Sequence, residues 1–244
     1  MKKLLLATVA AATLIALPAL ADREITKRTW DEVQSFLERN PRVLTQIEIM
    51  MDKEIGPDQI EQDASFIAEN HERIFEDPMS PVLGNPEGEV VIVKFTDFRC
   101  GYCEAVTPEL EALIEKDPRV KLIIREFPIL GPDSIELAKF ALSVRKIGGD
   151  AAYKRAQEAI FASDGPVTGY RLEELAEAAQ VDPRATIEGM ESAEILEHLT
   201  ETVRLARELK ITGTPGLILR DQVIRGFIPL EALEQGVAEL YPAR

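Results

Sequence analysis

Cysteine and histidine are the scarcest chemically useful residues of this 244-residue chain, with two of each. The two cysteines are separated by only two residues. A disulfide that closes so short a loop restricts the unfolded chain very little, which excludes a disulfide-stapled scaffold. A closed zinc site needs four ligands, and neither histidine lies at a ligand-like spacing from the cysteines. We therefore expect neither a metal nor another cofactor.

Basic residues are also in deficit, since 28 lysines and arginines face 43 acidic residues and the net charge is −15. This balance argues against nucleic acid as a partner. Long apolar runs are missing except at residues 4–17, which follow two lysines and precede an A-x-A site that ends at Ala21. The run is shorter than the roughly 20 apolar residues that span a bilayer. We predict a signal peptide over residues 1–21, cleaved after Ala21, and a periplasmic protein in which disulfides can form.

The two cysteines form a Cys-x-x-Cys motif at residues 100–103, between a strand-like apolar run and a helix-like segment. A thiol at a helix N-terminus faces unpaired backbone N–H groups and the positive end of the helix dipole. Both stabilise the thiolate, which is the reactive form of cysteine. The placement therefore indicates thiol–disulfide chemistry. Capture of Cu(I) by the reduced pair is the alternative, because thiolates suit that ion.

The rest of the chain reads as an α/β protein. A strand at 90–95, a helix to about 116 and a strand at 120–127 form a β-α-β unit, so the two strands should be parallel. Residues from 132 to about 210 have helical patterns throughout, and short strands at 217–219 and 223–225 read as a hairpin before a last helix.

Residues 22–77 form a separate helical segment, which ends at a turn-rich boundary rich in proline and glycine. Its apolar residues step by four and three, as in a coiled-coil seam, at Ile60, Ala64, Ile67, His71 and Ile74. A second apolar cluster consists of Val43, Leu44, Ile47, Met50 and Met51. Exposed apolar patches of this size usually mark interfaces, so we expect the segment to self-associate, with Gly56-Pro57 as a hinge.

Three stretches together resemble the DsbA-like thioredoxin-fold proteins: FTDFRCGYC at 95–103, REFPILG at 125–131 and GTP at 213–215. The lead-in from Asn40-Pro41 to the turn at 84–86 resembles the suppressor-of-copper-sensitivity C branch of that family. The resemblance implies a thioredoxin fold at 78–244 with a helical insertion at about 132–210, preceded by the N-terminal helical segment.

The resemblance also implies roles for individual residues. Cys100 would be the exposed nucleophile and Cys103 the more buried resolving thiol. The Thr214–Pro215 bond would be cis and lie beside the thiols, where the Thr214 backbone is free to pair with an extended substrate. Gly101 and Tyr102 complete the expected substrate-contacting set.

One position departs from the family pattern. Relatives usually carry a buried acid six residues before the first cysteine, where it helps proton transfer from the buried thiol, whereas this chain has Lys94. Lys94 would either lower the pKa of the Cys103 thiol or pair with Glu126 on the neighbouring strand. Asp97 is a further possible modulator, with a strand-end cap as its alternative role.

The expected function is that of a disulfide isomerase or reductase, which acts on unfolded or misoxidised exported proteins and exchanges electrons with a membrane redox partner. Isomerases of this type use a stalk to hold several catalytic domains around one substrate, so residues 22–77 favour a homotrimer. A monomeric dithiol oxidase and a copper-binding or chaperone-like protein are the alternatives.

Overall fold

The computed structural model describes residues 56–163 and 165–242. The expectations for the signal peptide and for the apolar cluster at 43–51 lie outside these residues and stay predictions. Within the described ranges, none of the helices combines the length and the apolar character needed to cross a membrane.

Strands and helices follow the predicted order. The strands are β1 (Val82–Gly84), β2 (Val90–Thr96), β3 (Val120–Glu126), β4 (Gly216–Leu219) and β5 (Gln222–Arg225). The helices are α1 (Pro57–Glu69), α2 (His71–Phe75), α3 (Gly101–Lys116), α4 (Pro132–Phe161), α5 (Gly169–Ala178), α6 (Pro183–Gly189), α7 (Ala193–Glu208) and α8 (Leu230–Leu240). The predicted thioredoxin fold with a helical insertion is confirmed, and α4 to α7 make up the insertion.

The five strands form one mixed sheet in the order β1-β3-β2-β4-β5. β2 and β3 are parallel, and β4 and β5 form the antiparallel hairpin that the sequence predicts. β4 runs antiparallel to β2. One end of the sheet therefore contains the C-terminal ends of β2, β3 and β5 and the N-terminal end of β4, and this end is one edge of the sheet. Both cysteines lie at this edge, which we call the active-site edge.

Successive side chains along each strand point to opposite faces of the sheet, and both faces are buried. One face presents Ile92, Ile124 and Leu217 to α3, α4 and α8. The opposite face presents Val93, Ile123 and Ile218 to α1, α2 and α7. A strand buried on both faces needs a nearly continuous apolar sequence, which is what residues 90–95 have apart from Lys94.

The compact unit begins at Pro57, earlier than the boundary expected at residue 78. Ile67 of α1 and Ile74 of α2 are 4% and 0% exposed, because they are part of the core on the second face of the sheet. Arg73 reinforces this packing through ion pairs with Glu201 and Glu208 of α7. Two residues of the expected coiled-coil seam are thus core residues of the catalytic unit.

One local feature differs from the sequence interpretation. β1 pairs with β3 within the region interpreted as a turn-rich boundary, since Val82 and Leu83 are enough to extend the sheet by one short strand. The pair Gly148-Gly149, in contrast, predicts the end of a helix, and the structure agrees. Gly149 has the non-helical backbone angles φ 72° and ψ −170°, which glycine tolerates at little cost, so α4 consists of two helices joined across a kink at this residue.

Candidate active site

The helix α3 starts at the active-site edge, immediately after β2 and a short loop. Cys100 is its N-cap residue, and the Cys100 carbonyl accepts hydrogen bonds from the backbone N–H groups of Cys103 at 2.9 Å and Glu104 at 3.1 Å. The Cys100 side chain makes no capping hydrogen bond. Both cysteines are free thiols. The thiol of Cys100 is thus placed at the positive end of the α3 dipole.

The Cys100 thiol faces the loop before β4. Its Sγ donates a hydrogen bond to the Thr214 carbonyl at 3.1 Å, and the Thr214–Pro215 peptide bond is cis. Cys100 is 9% exposed and Cys103 is 0% exposed, so Cys100 is more covered than the resemblance implied, and it is still the more exposed of the two. The structure therefore brings Cys100, Cys103 and Thr214-Pro215 together.

Cys103 lies in the first turn of α3 and is covered by β2. Its Sγ accepts a weak hydrogen bond from the Asp97 backbone N–H at 3.4 Å. Burial raises the pKa of the Cys103 thiol to about 11. The positive charge of Lys94 acts in the opposite direction, as the sequence suggested, but burial outweighs it.

Lys94 points from β2 toward α3 and is 1% exposed. Its Nζ donates to Thr107 Oγ1 at 2.7 Å and to the Cys103 carbonyl at 3.3 Å. Burial lowers the pKa of Lys94 to about 8, while the charges of Cys103 and Glu126 act to raise it. The lysine is therefore held against the turn of α3 that carries Cys103.

Glu126 occupies the neighbouring position on β3, where the register pairs Thr96 with Glu126. Its Oε1 accepts a hydrogen bond from the Tyr153 hydroxyl of α4, and its Oε2 is buried without a partner among the described residues. It forms no ion pair with Lys94, so the expected direct pairing is wrong. Burial raises the pKa of Glu126 to about 8.

Asp97 acts as a strand-end cap, the second of the two roles considered for it. Its Oδ1 accepts from the Arg99 N–H at 2.8 Å, and its Oδ2 accepts from the N–H groups of Ile129 at 2.7 Å and Leu130 at 3.0 Å. These bonds fix the loop after β2 to the loop after β3. Tyr102 is 67% exposed in the first turn of α3, and its neighbour Gly101 is also exposed.

Sequence reasoning missed two residues of the buried layer beneath the thiols. Thr107 follows Cys103 by four residues on α3, and that helical spacing was a usable signal. Tyr153 belongs to the helical insertion, and nothing in the sequence connects it with Glu126. Arg99 was also missed: it joins the active-site loop to the start of α4 through an ion pair with Asp133 at 2.7 Å.

Two cavities flank the first turn of α3. One of about 170 Å³ lies beside Cys100, between Phe98, Arg99 and Phe161. The other, of about 520 Å³, lies along Gly101, Glu104 and Pro108. In the described part of the chain, no group of three or more histidine, cysteine, aspartate or glutamate side chains lies together in a position to hold a metal ion.

Solved structures with this architecture include several thiol–disulfide proteins. A thioredoxin-like oxidoreductase from Silicibacter pomeroyi is 32% identical, with a TM-score of 0.66 over 72% of this chain and 99% of its own. The thiol-disulfide exchange protein alpha-DsbA2 from Wolbachia pipientis is 27% identical, with a TM-score of 0.70 over 76% of this chain and 99% of its own. The catalytic domain of Proteus mirabilis ScsC is 27% identical, with a TM-score of 0.65 over 72% of this chain and 97% of its own.

A curated relative, a Na⁺/H⁺ antiporter of Salinispora arenicola, is 24% identical over 161 residues. That match covers 66% of this chain and 24% of the antiporter's length, so transport is a property of the antiporter only. The sequence profile of a DSBA-like thioredoxin domain matches residues 91–238, which contain the Cys-x-x-Cys helix, the insertion and the Thr214-Pro215 loop. The chain therefore belongs to the DSBA-like thioredoxin domain family, and ScsC is among its structural relatives.

Proposed function

We propose that this protein is an exported disulfide isomerase or reductase that acts on protein substrates through Cys100. The observation that carries the proposal is the position of the Cys100 thiol. The thiol belongs to the N-cap residue of α3, its Sγ lies 3.1 Å from the Thr214 carbonyl oxygen, and a fully buried second thiol follows in the first turn of the helix. This is the arrangement that a nucleophilic and a resolving thiol require.

The exchange proceeds in two steps. The Cys100 thiolate attacks one sulfur of a substrate disulfide, a new S–S bond forms, and the other substrate sulfur leaves as a thiolate. In isomerisation, that thiolate attacks a second substrate disulfide, and the substrate thiolate set free there attacks the mixed disulfide, which forms a new substrate disulfide and releases Cys100 as a thiolate. In reduction, the Cys103 thiolate attacks the Cys100 sulfur, the Cys100–Cys103 disulfide forms, and the remaining substrate sulfur leaves as a thiolate. The helix dipole favours Cys100 as the attacking thiolate because its sulfur lies at the N-terminus of α3.

The surface around Cys100 suits unfolded polypeptide. Large apolar side chains are exposed on three segments at the active-site edge. They are Tyr102 at 67%, Ile129 at 38%, Leu130 at 53% and Phe227 at 44%. Apolar surface next to a backbone carbonyl such as that of Thr214 favours extended segments with apolar side chains, which only unfolded or misoxidised proteins expose.

Exchange of the active-site cysteines for alanine tests this proposal. Cys100→Ala should abolish thiol-dependent reduction of insulin and refolding of scrambled ribonuclease. Cys103→Ala should accumulate mixed disulfides with substrate, because release by the resolving thiol is lost. Retained activity in the Cys100→Ala variant would refute the assignment of the nucleophile.

Isomerisation rather than oxidation is favoured by the apolar cluster at residues 43–51, which would cover itself by self-association into a homotrimer. Light scattering of the protein beginning at Asp22 tests this directly. The proposal expects a trimer. It also expects that deletion of residues 22–55 abolishes isomerisation of scrambled substrates but preserves oxidation and reduction of dithiols. A monomer at micromolar concentration would favour the monomeric dithiol oxidase.

The proposal also includes export of the protein and re-reduction of its two thiols. The basic start, the apolar run at 4–17 and the A-x-A site support export to the periplasm with cleavage after Ala21. An isomerase needs its thiols reduced in that oxidising compartment, and a membrane redox partner would supply the electrons. Mass spectrometry of the exported protein should find Asp22 at its N-terminus, and thiol trapping in cells should find both cysteines reduced.

A further inference from the structure

The loop between α7 and β4 carries Thr214-Pro215, and a side chain from outside this loop holds its first residues. That side chain is Arg225, the last residue of β5. Its guanidinium donates hydrogen bonds to the Leu209 carbonyl at 2.8 Å and, less closely, to the Lys210 carbonyl at 3.4 Å. Both carbonyls lie where α7 ends and the loop begins.

The backbone at Arg225 holds the other end of the same loop. Arg225 is the partner of Gly216 in the register of β4 and β5. The next residue, Gly226, donates its N–H to the Pro215 carbonyl at 2.9 Å. Between the two ends, Ile211 is 2% exposed and anchors the loop in the core. The loop is therefore fixed to the end of β5 at both its beginning and its end.

The helix α1 fixes the orientation of the Arg225 guanidinium. Asp63 of α1 accepts hydrogen bonds from it with both carboxylate oxygens, at 2.9 and 3.1 Å, and Asp63 is only 4% exposed. An aspartate is rarely buried to this degree unless it is paired, and a bidentate arginine is among its strongest and most directional partners. The pair therefore gives the guanidinium one orientation, in which its other donors face the end of α7.

Lys210 provides a second connection between the loop and α1. It follows α7 with φ of 53°, at the position of a Schellman motif that usually has glycine, and the Ile211 N–H closes the motif on the Ala206 carbonyl at 2.8 Å. Its Nζ donates to the side-chain oxygens of Gln59 and Gln62 at 2.7 and 3.0 Å. Both connections reach one face of α1, whose polar residues are spaced by three and four.

We propose that Arg225, oriented by Asp63, is a positioning residue that sets the Thr214 backbone for pairing with extended substrate polypeptide. This inference rests on the proposed function, because it concerns substrate binding at the same site. The guanidinium bonds to the loop and to Asp63 rather than to either thiol. A loop that is ordered before the substrate arrives loses less conformational freedom on binding, so its fixation favours affinity rather than bond exchange at Cys100.

This role predicts a difference between two classes of disulfide. A polypeptide disulfide can pair its backbone with Thr214 in the manner of β-strand addition. A small disulfide without a peptide backbone, such as dithiodipyridine, reacts with Cys100 without that pairing. Loss of the Arg225 contacts should therefore weaken the binding of the first class and leave the reaction of the second nearly unchanged.

The test mixes the reduced protein with excess substrate in a stopped-flow instrument. One substrate is an unstructured peptide whose single cysteine forms a mixed disulfide with a fluorophore, and the other is dithiodipyridine. The dependence of the rate on peptide concentration gives the half-saturating concentration and the maximal rate. Arg225→Met should raise the half-saturating concentration about 10-fold and change the maximal rate less than about 2-fold, because the cost of ordering the loop then falls on binding.

Arg119→Met is the matched control. Arg119 also pairs with an aspartate, Asp117 at 2.7 Å, and also donates to a backbone carbonyl, that of Tyr241 at 3.2 Å. It precedes β3, at the edge of the sheet opposite to the active-site edge. Its replacement removes a comparable pair without touching the loop, so it should leave the reactions with both substrates unchanged.

A double variant tests whether Asp63 acts through Arg225. Asp63→Asn alone should raise the half-saturating peptide concentration by a smaller factor than Arg225→Met. The combination of the two should be no worse than Arg225→Met alone, since the contribution of Asp63 depends on the guanidinium. Additive effects of the two substitutions would overturn the assigned order of action.

The outcomes separate this inference from the proposed function. A wild-type protein that fails to reduce the peptide disulfide would overturn the proposed function itself. An unchanged half-saturating concentration in Arg225→Met, or an equal loss with both substrates, would overturn only the role of Arg225. If Arg225→Met does not fold, Arg225→Lys replaces it: lysine keeps the charge but lacks the planar fork, so an unchanged half-saturating concentration would overturn the inference.

Discussion

Replacing Glu126 by glutamine should change how the stability of the reduced protein depends on pH. Glu126 is fully buried, and burial raises its pKa from the ordinary value of 4.5 to about 8. Glutamine has nearly the same shape and can still accept the hydrogen bond from Tyr153. The substitution therefore removes the titration of this group while it retains the packing.

The sign of the effect follows from proton binding. Between the unfolded pKa near 4.5 and the folded pKa near 8, the folded protein holds one proton that the unfolded chain releases. The stabilisation that this proton gives is complete below the unfolded pKa and is lost as the pH rises through the folded value. The slope approaches about 1.4 kcal/mol per pH unit, so the stabilisation lost between pH 5 and pH 8 is on the order of 3 kcal/mol.

Urea unfolding at pH 5, 6, 7 and 8, followed by circular dichroism, measures this difference. The free energy of unfolding of wild type relative to Glu126→Gln should fall by roughly 3 kcal/mol over the interval. Glu115→Gln, at an exposed position of α3, is the control and should run parallel to wild type. Parallel curves for Glu126→Gln as well would refute the claim that Glu126 is buried as a protonated acid.

Three further predictions concern the thiols and the packing. Iodoacetamide should label Cys100 of the reduced native protein at pH 8 and spare Cys103, whose pKa burial raises to about 11, and peptide masses report the site. Asp77→Ala should lower the free energy of unfolding in urea by about 3 kcal/mol, because it leaves the fully buried guanidinium of Arg125 without its carboxylate partner. Glu115→Ala, the control, should change it little. Deletion of residues 22–55 should leave the melting temperature nearly unchanged, whereas deletion of 22–77 should lower it strongly, since only the longer deletion removes two core isoleucines of α1 and α2.

The elements that carry the chemistry were predictable because their signals are local. The apolar run at 90–95, the helix after Cys100 and the parallel return strand each need only a few neighbouring residues to be recognised. The Thr214–Pro215 position required the family resemblance, because Thr214 is far from Cys100 in sequence but only 3.1 Å from its Sγ in space.

The N-terminal boundary was misplaced for a physical reason. The spacing of Ile67 and Ile74 is that of an amphipathic helix, and such a pattern shows which face is buried without identifying what buries it. A coiled-coil partner and the face of the sheet that packs on α1 and α2 could each bury such a helix face. The structure shows that the sheet covers these two residues, while Ile60 at the start of the same pattern remains 54% exposed.

The buried polar layer illustrates where sequence reasoning stops and why the layer exists. Lys94 was identified as a departure, but its contact with Thr107 and the contact of Glu126 with Tyr153 depend on how α3 and α4 cross the sheet. An apolar residue at either strand position would suit a strand buried on both faces better than an ionisable one. Both groups therefore reduce stability where they stand, and residues that do so next to a reactive centre are usually retained for its chemistry. The burial that protects the Cys103 thiol also keeps water away from it, and the buried amine of Lys94 contacts the turn that carries this thiol.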